Sequence, residues 1–121
     1  MSRRILAVDD DHDIVDIIKI ILEDEGYEVN TLTNGRDVLK SIENDRPDLI
    51  LLDVMLGGID GRDICKAIKS DVLLSSIPIV MISASDNLHN LLTEKGSPND
   101  FLAKPFDIDN LIKKVNAQFA A

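Results

Sequence analysis

Five polar side chains stand where short apolar runs end. Asp9 and Asp10 follow Ile5-Leu6-Ala7-Val8, Asp53 follows Leu49-Ile50-Leu51-Leu52, Ser83 follows Ile79-Val80-Met81-Ile82, and Lys104 follows Phe101-Leu102-Ala103. Three carboxylates, one hydroxyl and one ammonium suit an oxygen-liganded divalent cation beside an anion. Carboxylates held together raise one another's pKa, and a hard cation relieves the repulsion. Mg²⁺ takes one or two carboxylates, keeps several waters and engages phosphate oxygens. A carboxylate is also a nucleophile that can form an acyl phosphate. Transfer then requires in-line positioning and neutralisation of the equatorial oxygens, which Mg²⁺, Lys104 and Ser83 can supply. The chemistry reaches metal-assisted phosphoryl transfer to an aspartate and does not name the donor. Taken singly, each Asp or Ser reads at least as well as a turn former or helix cap. The agreement of four strand ends in chemical sense carries the joint reading.

The elements that must position these groups follow from hydrophobic period. Four of the five apolar runs are nearly continuous, as strands buried on both faces require. The remaining run, Val29-Asn30-Thr31-Leu32, alternates more and suits an edge. Between the runs the period becomes helical. Ile14, Ile17, Ile18, Ile21 and Leu22 form one stripe, stopped at Gly26. Val38, Leu39 and Ile42 mark a second helix, begun near Asn34 and ended before Pro47. Ile64, Ala67 and Ile68 mark a third, and Leu88, Leu91 and Leu92 a short fourth that ends near Gly96. Ile108, Leu111, Ile112, Val115 and Phe119 mark a fifth, with Asp107 as N-cap. Strict alternation predicts an α/β fold: a five-stranded parallel doubly wound (βα)5 sheet of flavodoxin-like order 2-1-3-4-5. Ligands bind such sheets outside the carboxyl ends of the strands, where all five polar groups fall.

Composition narrows the function. The chain has 121 residues, 45% of them hydrophobic, which fits one domain over residues 1–121 with a core of about 4–119. Aromatic residues are only 3%, so the core is aliphatic. A net charge of −9 repels phosphate backbones and anionic lipid, which argues against direct nucleic-acid or membrane binding. Cys65 is the single cysteine, and no signal-peptide pattern is present, so a reducing cytoplasm is expected. Cys65 itself reads as a small buried hydrophobe.

The residues Val8-Asp9-Asp10-Asp11, Leu51-Leu52-Asp53-Val54-Met55, Ile59-Asp60-Gly61, Ser83-Ala84 and Lys104-Pro105-Phe106 together resemble the receiver domain of two-component response regulators. The resemblance runs from about Arg4 to about Val115. The intervals are 44 from Asp9 to Asp53, 30 on to Ser83 and 21 on to Lys104. It implies that Asp53 accepts a phosphoryl group from a phosphohistidine on a sensor histidine kinase or phosphotransfer protein. It implies Mg²⁺ held by Asp10, Asp53 and the carbonyl of Met55, with Asp9 acting mainly through water. Lys104 would pair with Asp53 and then with the phosphoryl oxygens, and Lys104-Pro105 would be cis. Ser83 and Phe101 would form the switch, and the output would be a protein-binding face that admits a phosphorylation-dependent dimer. No enzymatic activity beyond self-phosphorylation and self-dephosphorylation is implied.

Three departures from the family pattern bear on this. Gly57-Gly58 stands where a Pro is frequent, which predicts a looser loop around Met55. The fourth helix is short, with Gly96-Ser97-Pro98 at its end. Met55 and Ser85 occupy positions that tune acyl-phosphate hydrolysis and cannot orient an attacking water, which predicts slow self-dephosphorylation. Phe101 carries no hydroxyl. His12 reads as the start of the first helix, His89 as a surface residue, Tyr27 and Phe119 as core or edge packing, and Lys113 and Lys114 as complements to the last helix dipole. A small aspartyl-nucleophile phosphatase is the rival, but Val54 and Met55 follow Asp53 where such enzymes carry a second Asp. The chain runs out at Gln118-Phe119-Ala120-Ala121, which fits a stand-alone regulator or a domain of a longer protein equally.

Overall fold

Alternating strand and helix periods produce the alternating elements expected of them. The computed structural model describes residues 2–84 and 97–120. Arg4–Val8 forms β1, His12–Asp24 α1, Glu28–Leu32 β2, Val38–Asn44 α2 and Leu49–Asp53 β3. A two-residue pair, β4 (Met55–Leu56) and β5 (Ile59–Asp60), leads into α3 (Gly61–Ser70). Strands β6 (Ile79–Ser83) and β7 (Asp100–Ala103) and helix α4 (Ile108–Phe119) complete the described elements. The helix expected at Leu88, Leu91 and Leu92, with its end near Gly96, lies outside the described residues, as do Ser85 and His89.

The main sheet is parallel throughout, in the order β2-β1-β3-β6-β7. This is the expected 2-1-3-4-5 order, because β4 and β5 pair only with each other and stay out of the main sheet. Strand β2 is at the edge, as its alternating pattern requires. Successive residues of the inner strands point to opposite faces, so each strand feeds two cores. Leu6, Val8, Ile50, Leu52, Ile79 and Met81 pack on one side with Val38 and Ile42 of α2 and Ile64, Cys65 and Ile68 of α3. Ile5, Ala7, Leu49, Leu51, Val80 and Ile82 pack on the other with Ile18 and Leu22 of α1 and Leu111 and Val115 of α4.

Several details differ from the sequence expectation. In α1 the buried residues are Val15, Ile18 and Leu22, while Ile17 is 51% exposed. The apolar stripe is wider than the strip of sheet it covers, so its flank faces outward. Helix α2 starts at Val38, later than expected, because Asn34 is spent on a preceding turn: its Oδ1 accepts the Asp37 N–H at 3.0 Å. Ala67 is exposed, and Cys65 takes the buried position on α3 beside Ile64 and Ile68. Burial pushes the Cys65 thiol up to about 11, in keeping with its reading as a small hydrophobe. Asp107 caps α4 as expected, accepting the Asn110 N–H at 2.6 Å. Lys114 is not a helix-end cation. It reaches across to Asp100, 3.2 Å away, and its Nζ lies 5.6 Å from the Phe101 ring centroid.

Candidate functional site

Parallel register brings the strand ends together. Val8 pairs with Leu52 and Asp53 with Ile82, so Asp9 emerges beside Asp53. Ser83 pairs with Ala103, so Lys104 emerges beside Ser83. Asp9 is 1% exposed, Asp53 4% and Ser83 5%. Among the described residues these are the buried polar or charged side chains, and all three stand at this one edge. Burial of such groups is costly unless they are paired. The sheet therefore concentrates its expensive chemistry in one place.

The groups are paired through Lys104. Its Nζ donates to Asp9 Oδ2 at 2.7 Å and to Asp53 Oδ2 at 3.2 Å. The contact to Asp53 was expected; the shorter one to Asp9 was not. Asp9 is fixed further by the Asp11 N–H, which donates to its Oδ1 at 3.0 Å. Asp11 in turn caps α1 by accepting the Asp13 N–H at 2.9 Å. Asp10 is exposed. One carboxylate oxygen each from Asp9, Asp10 and Asp53 fall within 4.8 Å of one another.

Electrostatics follow from burial. Desolvation raises the Asp53 carboxyl above the usual carboxylate range, and the nearby charge of Asp9 adds to it. Lys104 and a hydrogen bond from the Met55 N–H offset this only in part. For Lys104, desolvation works to lower the ammonium pKa, but the Asp9 hydrogen bond and the charges of Asp53 and Asp9 outweigh it. Lys104 stays charged, and one ammonium faces three carboxylates. An all-oxygen donor set with that excess of negative charge fits a hard divalent cation such as Mg²⁺.

The loop after Asp53 is shaped by glycines. Gly57 and Gly58 form the two-residue turn between β4 and β5 with φ of 55° and 92°. Positive φ at both central residues is what such a tight hairpin turn demands. The pair thus builds a tight turn between β4 and β5. Gly61 starts α3 directly against the end of β3. A Cβ there would lie 2.0 Å from the Asp53 carbonyl oxygen, and the Gly61 N–H donates to the Val54 carbonyl at 2.7 Å. Asp60 caps α3 by accepting the Arg62 N–H at 2.9 Å. Neither the steric role of Gly61 nor the place of Arg62 was foreseen. The Ile59-Asp60-Gly61 sequence was a signal for the first, since an Asp cap followed by Gly marks a tight helix entry.

Asp9, Asp10, Asp53, Ser83, Lys104 and Arg62 line an open cavity of about 420 Å³. All five residues expected from the strand ends meet there. Met55 lines it too, with its side chain 74% exposed. Phe101 is half-buried and packs against the core that α2 and α3 cover. The Lys104-Pro105 bond is cis, as expected. His12 begins α1 and is exposed. Tyr27 and Phe119 stack at the sheet margin with ring centroids 5.5 Å apart.

Comparison with known proteins decides what this arrangement is. Residues 5–116 match the response regulator receiver domain. The chain belongs to that family. It is 36% identical over 119 residues to the DNA-binding response regulator MtrA of Mycolicibacterium paratuberculosis, covering 98% of this chain and 52% of that protein. It is 38% identical over 122 residues to the alkaline phosphatase synthesis transcriptional regulatory protein PhoP of Bacillus subtilis, covering 100% of this chain and 48% of that protein. The receiver domain thus spans about half the length of these relatives. Among solved structures, chemotaxis response regulator CheY4 of Vibrio cholerae superposes with a TM-score of 0.89 at 28% identity, covering 98% of this chain and 99% of that one. The receiver domain of NtrX from Brucella abortus gives 0.84 at 35% identity, covering 94% and 96%. The chain is therefore a phosphoacceptor domain of two-component signalling. Receiver domains are phosphoacceptor switches that bind Mg²⁺ in an acidic pocket, and response regulators receive phosphate from histidine kinases. Among the described residues, no helix is long and apolar enough to cross a membrane.

Proposed function

We propose that Asp53 is the phosphoacceptor and that the 121 residues act as one receiver domain. The observation that carries this reading is the joint burial of Asp9, Asp53 and Ser83 at the carboxyl edge, with Lys104 bridging the two carboxylates. Asp53 ends the central strand, so its carboxylate is carried by a strand that is hydrogen-bonded on both sides. In the resting protein Lys104 neutralises part of the charge on Asp53 and Asp9. As Asp53 becomes an acyl phosphate, Lys104 transfers its hydrogen bond to the phosphoryl oxygens. The Ser83 hydroxyl donates to the same group, and that contact pulls on the end of β6. Asp10, Asp53 and the Met55 carbonyl would hold Mg²⁺, with Asp9 acting mainly through bound water, and the ion would supply charge neutralisation for the equatorial oxygens.

Ser83 and Phe101 then form the switch, a two-state element biased by charge at the pocket. The donor is a sensor histidine kinase or phosphotransfer protein in the cytoplasm, and the output is contact with a protein target or a second copy. With a net charge of −9 the domain itself is unsuited to nucleic acid or membrane. Its only turnover is its own phosphorylation and dephosphorylation. Incubation with Mg²⁺ and phosphoramidate, followed by intact mass measurement, tests the reading. One phosphate should be added to the wild type and none to Asp53→Asn. Phosphate that persists in Asp53→Asn, or an unmodified wild type, would overturn it.

A further inference from the structure

Three sulfur atoms lie among the described residues, and only one of them meets solvent. Cys65 is 1% exposed and burial pushes its thiol up to about 11, so it stays protonated and out of reach. Met81 lies inside β6 and is 0% exposed. Met55 is 74% exposed, and among the described residues it is the one exposed large apolar side chain that lines the phosphoacceptor cavity. Its backbone is held on both sides. Met55 pairs with Asp60 across the β4–β5 ladder, the buried Leu56 anchors the same hairpin, and the Met55 N–H is hydrogen-bonded to the Asp53 carboxylate. The main chain thus fixes Met55 beside Asp53 while its side chain stands in water. Asp9, Asp53 and Ser83 are the buried floor of the cavity, so an exposed lining side chain belongs to its rim.

We propose that Met55 is a site of reversible oxidation by hydroperoxides, and that its sulfoxide shortens the life of the phosphate on Asp53. The effect on lifetime rests on Asp53 being the acceptor. In the oxidation the Met55 sulfur attacks one peroxide oxygen, so that an S–O bond forms and the O–O bond breaks. The electron pair of the O–O bond leaves on the other oxygen, which takes the proton of the transferred one. The products are methionine sulfoxide and water or an alcohol; sulfur loses two electrons and the peroxide gains them. The sulfoxide replaces a weak acceptor with a strong one, and methionine sulfoxide reductases reverse the change. Hydrolysis of the aspartyl phosphate needs a water in line with the breaking bond, on the side of phosphorus away from Asp53 and so toward the open rim. A sulfoxide oxygen at the rim accepts a hydrogen bond from that water, which a thioether does poorly. The water oxygen bonds to phosphorus, the electron pair of the broken P–O bond returns to the Asp53 carboxylate, and both water protons stay with the inorganic phosphate.

Peptide mapping after hydrogen peroxide treatment of the folded protein tests the site: Met55 should gain one oxygen at least about tenfold faster than Met81. Treated and untreated protein are then loaded with phosphate from phosphoramidate and Mg²⁺, freed of donor and followed by intact mass. The oxidised protein should lose its phosphate about fivefold faster, the effect of one added hydrogen bond on the barrier. Reduction by methionine sulfoxide reductases should restore the original lifetime. In Met55→Leu, peroxide should leave the lifetime within about 1.5-fold of that variant's own starting value. The variant also carries any oxygen added at Met1, so it isolates the effect of position 55. Equal oxidation of Met55 and Met81, an unchanged lifetime, or the same shortening in Met55→Leu overturns the inference while leaving Asp53 as acceptor. A wild type that takes up no phosphate overturns the acceptor assignment, and the proposed effect of oxidation with it.

Discussion

At the amino-terminal edge of the sheet, Arg4 sits 3.4 Å from Glu28, pairs with Asp45 and donates its main-chain N–H to Asp48 at 2.8 Å. At the carboxyl edge, Lys104 pairs with Asp9 and Asp53. The groups are alike: one cation among several carboxylates. The side chains of Arg4, Glu28 and Asp45 are 50%, 61% and 42% exposed, whereas those of Asp9 and Asp53 are 1% and 6% exposed. Water screens the first cluster fully and reaches the two buried carboxylates of the second far less. A cluster screened by water pins chain segments and does little else. A buried one holds repulsion that a cation can relieve and an added phosphoryl group changes, and that makes it responsive.

The sharpest way to break this comparison is to remove each cation. Lys104→Ala should slow phosphorylation of Asp53 by a small-molecule donor about 100-fold, since it deletes a preorganised charge at the transferring group. Arg4→Ala should change that rate less than about twofold. Time courses by intact mass would show it, and similar losses in the two variants would erase the distinction between the edges.

Gly61→Ala probes how tightly the carboxyl edge is built. Its Cβ would have to displace the Asp53 backbone, 2.0 Å away, so a loss of about 3 kcal/mol in urea unfolding is expected, with slower phosphorylation. A wild-type midpoint would show that the junction of β3 and α3 yields easily.

Asp53→Asn separates function from stability. Burial, and then the charge of Asp9, raise the Asp53 carboxyl in the folded protein. The folded state therefore holds that proton more tightly than the unfolded chain. Its contribution to stability is fully present below the ordinary carboxylate range and is lost as pH rises through the folded pKa. In chelator at neutral pH, Asp53→Asn should melt a few degrees above the wild type, and the gap should close as pH falls below about 4. Melting curves from acid to neutral pH check this; a gap that stays constant, or has the opposite sign, counts against it.

The smallest effect belongs to the screened edge. Arg4→Ala should cost about 0.5 kcal/mol, and less in high salt. A loss above about 2 kcal/mol would mean that the exposed cluster behaves like the buried one.

Most of the fold and the members of the site were legible because their signals are local. A continuous apolar run marks a strand buried on both faces, and the polar residue that ends it must lie at the carboxyl edge. Asp9, Asp10, Asp53, Ser83 and Lys104 follow from that rule, and the parallel sheet with its helices follows from alternation. The breadth of the α1 stripe was not legible. Ile17 and Val15 are both apolar, and only the width of sheet beneath the helix decides which is covered.

What the sequence determined by itself, then, is which residues stand at the ends of strands, since run length and period are properties of neighbouring residues. What the tertiary structure decided is which of them touch. Lys104 reaches Asp9 more closely than Asp53, Lys114 turns to Asp100 and Phe101, Gly61 meets the backbone of Asp53, and Arg62, paired with Asp60, lines the cavity. Lys104 is matched to partners far along the chain, Lys114 and Gly61 to residues of the main-sheet strand that precedes their helix, and Arg62 reaches a cavity built from several strand ends. Only the register of parallel strands and the packing of helices on them set those distances.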